Sequence, residues 1–160
     1  MTVVNSAVGG RSVRTWLYNV TTSMDAAGEC VLQKDAAGEP TIQARWGDML
    51  SGMKTGDYLF IQFGINDGAA TCDRHVGIQA FKNSYGVMAA AAKSRGARPV
   101  FVTPASAVAC NGSTARATRG AYVQPPLTPA RSTTFPSSTC MRSLSRSLPH
   151  AASAPYRGVT

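Results

Sequence analysis

Apolar and polar positions divide the chain into short strand-like runs and longer helix-like stretches. Tyr58-Leu59-Phe60-Ile61-Gln62-Phe63 is aromatic and branched, and it empties into Gly64-Ile65-Asn66-Asp67-Gly68. That change predicts a buried strand over 58–63 feeding a tight polar loop. Val3-Val4-Asn5-Ser6-Ala7-Val8 predicts an earlier strand, opening into the glycine-rich turn Gly9-Gly10, with 11–16 as the loop leaving it. Trp46, Met49, Leu50 and Met53 recur at helical spacing, so 45–53 is expected to be a helix ended by Gly56. Ile78, Phe81, Tyr85, Met88, Ala89 and Ala92 fall on one face of a helix over 77–95, closed by Gly96. A short buried strand is expected over 99–102. Strand, helix, strand, helix, strand implies an α/β fold whose parallel sheet is covered on both faces, with right-handed crossovers.

Two regions depart from this rhythm. Residues 22–40 are rich in Gly, Ala, Asp and Glu, and Asp35-Ala36-Ala37-Gly38 nearly repeats Asp25-Ala26-Ala27-Gly28. Two copies do not make a repeat architecture, so this stretch reads as a surface excursion. After Val123 no period survives. Residues 124–160 hold six of the nine prolines, with many serines and arginines, which is the composition of a disordered tail.

Length allows one domain, and no apolar run approaches the ~18 residues of a membrane span. No secretory signal is visible at the start. The net charge of +8 is unevenly distributed, because all eight acids lie at or before Asp73. The basic residues are scattered, without interleaved aromatics or a nucleic-acid motif, so no specific nucleic-acid partner is expected. Cys30, Cys72, Cys110 and Cys140 show no CxxC spacing, and only His75 and His150 are available to join them, which argues against a metal site. Cys72 and Cys110 are expected to lie close enough for a disulfide, both sitting in loops that leave adjacent strands. Asn19-Val20-Thr21 and Asn111-Gly112-Ser113 are glycosylation sequons.

The two glycine-rich loops carry the chemistry. A glycine N–H and an asparagine amide are two of the donors an oxyanion hole requires. Asn5-x-x-x-Gly9-Gly10-Arg11-Ser12 together with Gly64-x-Asn66-Asp67 resembles two sequence blocks of the SGNH (GDSL-type) hydrolases. The flanking Gly56-Asp57-Tyr58, Phe81-Lys82, Ser84-Tyr85-Gly86 and Val102-Thr103-Pro104 resemble the rhamnogalacturonan acetylesterase branch of that family. The likeness runs from about Val3 to Val123. It implies a flavodoxin-like three-layer αβα fold and an extracellular, cofactor-free, monomeric carbohydrate esterase acting on acetylated pectic polysaccharide. It places Gly10 and Asn66 in the oxyanion hole and puts Arg11, Ser12 and Arg14 near the sugar. Ile65 stands where this branch often has His.

Two further blocks of the family do not occur. There is no Gly-Asp-Ser to supply the nucleophile and no Asp-x-x-His to supply its base. Asp73 and His75 have the wrong spacing, Ser12 has no visible base, and His150 lies in the tail. The expectation is therefore a domain over 1–123 that is incomplete at both ends, inactive as it stands, and followed by a tail over 124–160 that is disordered or read in a shifted frame. Two other readings stay open: a non-catalytic carbohydrate-binding remnant, and a basic interaction protein acting through its tail.

Overall fold

The computed structural model describes residues 2–105, 108–111, 114–117 and 120–123. They fall into two compact units, 2–105 with 120–123 and 108–111 with 114–117. The tail over 124–160, with Cys140 and His150, lies outside the described residues.

In the larger unit the order is α1 (Val13–Leu17), β1 (Val20–Met24), β2 (Cys30–Leu32), α2 (Ala44–Gly52), β3 (Tyr58–Ile61), α3 (Ile78–Ser94) and β4 (Arg98–Phe101), then a 3-10 turn at Gly120–Val123. β3 and β4 run parallel with Tyr58 opposite Arg98 and Ile61 opposite Phe101, and α3 is the connection between them. β1 and β2 form an antiparallel hairpin. Helices and strands are thus mixed and one small sheet is parallel, an α/β arrangement. The smaller unit is an antiparallel hairpin of β5 (Val108–Asn111) and β6 (Thr114–Ala117).

The strongest periodic signals become the core. Phe81, Tyr85, Met88 and Ala92 of α3 are buried at the helical spacing that predicts them. They pack with Leu59 and Ile61 of β3 and with Val13 and Leu17 of α1. The aromatic rings of Phe81 and Tyr85 lie 4.8 Å apart. The α2 helix buries Trp46 and rests Met49 and Leu50 against the same core, as does Met53 just past its end.

Three expectations are corrected. Residues 3–8 form no strand: Val3 and Val4 are each 80% exposed. Asn5 there accepts a hydrogen bond from the Ala7 N–H, a local turn that competes with extended pairing. Most of the loop expected over 11–16 is instead α1, because Ser12 and Thr15 build a capping box that starts a helix. β3 is buried on one face only, with Leu59 and Ile61 inward and Tyr58 and Phe60 outward. The stretch over 22–40, read as a surface excursion, is largely exposed and forms a small meander whose two near-identical stretches are matching turns. In each, the aspartate Oδ1 accepts two backbone N–H groups, from Ala27 and Glu29 or from Ala37 and Glu39. Gly28 and Gly38 take positive φ of 80° and 85°, which completes a three-residue hairpin loop.

Candidate functional site

The glycine-rich turn before α1 and the loop after β3 meet. The Asn66 Nδ2 donates to the Arg11 carbonyl at 3.0 Å across 55 residues of sequence. Beside it, Asp67 is fully buried and bridges the two segments. Its Oδ1 accepts from the Val13 N–H at 2.8 Å and its Oδ2 from the Gly64 N–H at 2.7 Å. One carboxylate therefore satisfies an orphan donor at the start of α1 and pins the turn that leaves β3. Burial raises the Asp67 pKa; the N–H groups of Val13, Gly64 and Asp67 itself pull it down by less.

Gly64 must be glycine. Its φ is 106°, and a Cβ there would stand 2.9 Å from the Tyr122 carbonyl and 3.0 Å from Pro104. From the other side, the Tyr85 hydroxyl accepts the Phe63 N–H at 2.8 Å, with burial pushing its pKa up to about 12. The Tyr122 hydroxyl donates to the Val76 carbonyl at 2.6 Å, and its ring packs edge-on against Phe81. The loop carrying Asn66 is thus held by a helix, a buried acid and a returning segment.

Gly10 also has positive φ, 79°, and is exposed. Asn66 is half-buried. Its amide has two N–H donors, and the bond to Arg11 uses one. Ser12, expected near the sugar, is wholly buried and is occupied with Thr15 in the cap of α1. Arg14 is also committed elsewhere. Its Nη1 lies 2.6 Å from Glu29 Oε2, and its Nε and Nη2 donate to the Cys30 carbonyl. Glu29 is itself buried and accepts the Gly77 N–H at the start of α3 at 2.7 Å.

Arg11 stays on the surface. It shares with Arg45 a small recess of about 30 Å³, whose other walls are Val8, Thr15, Trp16 and Gln43. His75 serves the loop: its Nδ1 lies 2.9 Å from the Ala69 carbonyl, so that nitrogen carries the proton.

The disulfide expectation is corrected. Cys72 bonds Cys30, with S–S 2.06 Å and Cα–Cα 4.7 Å, and not Cys110. The bridge ties the hairpin of residues 20–32 to the loop after β3, next to the Arg14–Glu29 pair. The side chains of Cys110 and Asn111 lie outside the described residues. Asn19 is half-buried, and its amide donates to Thr41 Oγ1 and the Ile42 carbonyl, so a glycan there, which replaces one of the two amide hydrogens, would have to displace at least one of these bonds.

Among the described residues no group of three or more His, Cys, Asp and Glu is placed to hold a metal ion, and no helix is long and apolar enough to cross a membrane. Three residues central to this region are absent from the sequence reading as site groups: Asp67, Glu29 and Arg45. Asp67 has a local signal, an acid between Asn and Gly at the end of an apolar run. Glu29 and Arg45 have none, since Arg14 and Gly77, which Glu29 binds, and Arg11, which shares the recess with Arg45, are distant in sequence.

Compared with known proteins, the chain matches no family model, no curated protein and no solved structure.

Proposed function

We propose that the larger unit is part of an SGNH-type carbohydrate esterase domain, of flavodoxin-like three-layer design, and that Gly10 and Asn66 are two of its oxyanion donors. Its ligand is an acetylated acidic polysaccharide outside the cell. The observation that supports this best is the bond from Asn66 Nδ2 to the Arg11 carbonyl. It sets an asparagine amide against a glycine-rich turn and leaves one amide N–H for an ester oxygen. An oxyanion donor must be preorganised to be useful, and the buried Asp67 and Tyr85 anchors hold the Asn66 loop in place before any ligand arrives.

The disulfide supports an oxidising compartment. The sequence holds neither Gly-Asp-Ser nor Asp-x-x-His, and Ser12 is buried in a helix cap, so these 160 residues bind ester and do not turn it over.

Calorimetric titration with O-acetylated and deacetylated oligogalacturonides tests the reading. The acetylated form binds more tightly, Asn66→Ala removes that preference, and p-nitrophenyl acetate is not hydrolysed. Equal affinity for the two forms, in a chain that still binds saccharide, would favour a carbohydrate-binding role without an ester site. Hydrolysis that survives Asn66→Ala would overturn the assignment.

A further inference from the structure

Arg14 shows what an arginine committed to structure looks like in this molecule: paired with a buried glutamate and bonded to a backbone carbonyl. Arg11 and Arg45 are different. Among the described residues neither forms an ion pair, and Arg11 makes only one long bond, 3.4 Å, to the Thr15 carbonyl. No acid lies in the first turn of α2, where Arg45 sits, and no side chain caps that end. Asp48, one turn along from Arg45, does not pair with it. Arg11 and Arg45 line one recess with no protein anion in it.

We propose that this recess is a carboxylate-binding subsite. A guanidinium presents a planar fork of donors that matches a carboxylate in two parallel bonds. The volume of about 30 Å³ admits a group of that size and not a sugar ring, so the ring would lie outside, along Val8 and the rim of Trp16. The Arg11 carbonyl holds Asn66, so the subsite adjoins the candidate oxyanion donor through a single residue. The carboxylate belongs to a uronic acid in the same saccharide that carries the ester; that identity rests on the reading under Proposed function, whereas the anion-binding chemistry does not.

The test is calorimetric titration of the full chain with trigalacturonate, its uncharged methyl ester, citrate and inorganic phosphate. It is run on the unmodified protein and on Arg45→Ala, Arg45→Lys and Arg11→Ala, with Lys82→Ala, an exposed charge on α3, as the control for net charge. Melting curves establish that each variant is folded. Trigalacturonate is expected to bind about tenfold more tightly than its ester, roughly the worth of one charge-assisted pair. Arg45→Ala and Arg11→Ala abolish the difference, Arg45→Lys restores only part of it, and Lys82→Ala leaves it intact. Equal affinity for acid and ester overturns the subsite while leaving the saccharide reading in place. Citrate binding that depends on Arg45, without any saccharide binding, supports the subsite and defeats the saccharide reading. Phosphate binding as tight as trigalacturonate, a preference unchanged in both arginine variants, or no binding of any probe overturns the proposal.

Discussion

Arg14 and Arg11 lie three residues apart and meet opposite fates. Around Arg14, every strong polar group has a partner: Glu29 joins it to the first N–H at α3, the Cys30 carbonyl takes its other donors, and a disulfide closes the region. Around Arg11 and Arg45, two cations share a recess without an anion. The same residue type is a half-buried fastening in one place and an uncommitted charge in the other. Matched charge marks the junction that fixes the fold; unmatched charge, beside a held asparagine amide, marks where a ligand supplies the missing partner.

The contrast predicts a graded series of losses. The largest is at the buried junction. Glu29→Ala leaves the half-buried Arg14 with only Asp25, 4.0 Å away, as a counter-ion and removes the acceptor of the Gly77 N–H at the start of α3, and should destabilise by about 3 kcal/mol in urea unfolding. A cost below 1 kcal/mol would mean that the pair is solvated and that the contrast fails. Next comes the bridge. Cys30→Ser with Cys72→Ser opens a loop with a sequence separation of 42 and should cost about 2–4 kcal/mol. The same loss should follow from reduction of the unmodified chain.

Asp67→Asn keeps the shape and removes one of the two acceptors that Val13 and Gly64 use, for an expected loss of about 1–3 kcal/mol. It also sharpens the pH dependence. Burial sets the folded Asp67 pKa above its unfolded value of about 3.9. Below that value both states are protonated and the contribution of the side chain is complete. As pH rises through the folded pKa the unfolded state has already ionised, and this contribution is lost. The stability advantage of the unmodified chain over Asp67→Asn should therefore shrink as pH rises from about 4. An advantage that grows over that range would contradict the direction of the shift.

At the other end of the series, Arg11→Ala and Arg45→Ala should change stability by no more than about 0.5 kcal/mol, as surface substitutions do. A larger loss in either would place that arginine with Arg14 as a fastening and remove the difference between the two regions.

Legibility in the sequence followed the length of the periodic signal. The α3 helix, with five buried positions on one face, and the β3 and β4 strands around it were readable within a residue or two. The α1 helix was not: five residues are too few for a period, and the Ser12–Thr15 cap that starts it lacks the usual Glu or Gln. Residues 3–8 carry a strand composition, but a strand is made by its ladder partner, and composition cannot report one. The hairpin turns hid in plain view, since Asp-Ala-Ala-Gly reads as loop until the aspartate oxygen is seen on two N–H groups.

At the site, the loops carrying Gly10 and Asn66 were legible because glycine and asparagine cluster at the ends of apolar runs. The role of Asp67 as the acid that ties them, Arg45 as the second cation and Cys30 as the partner of Cys72 were not, because each depends on contacts between segments far apart in the chain. Four cysteines allow three pairings, and spacing alone did not choose among them.

The most direct measurement is of the Asn66 side-chain amide itself by NMR. One of its two protons is held by the Arg11 carbonyl and the other is available. Addition of an O-acetylated oligogalacturonide should shift the available proton while the held one stays close to its original position, and the deacetylated saccharide should leave both in place. Saccharide binding that leaves both Asn66 amide protons unmoved, with shifts confined to another surface, would contradict the assignment of Asn66 as an oxyanion donor.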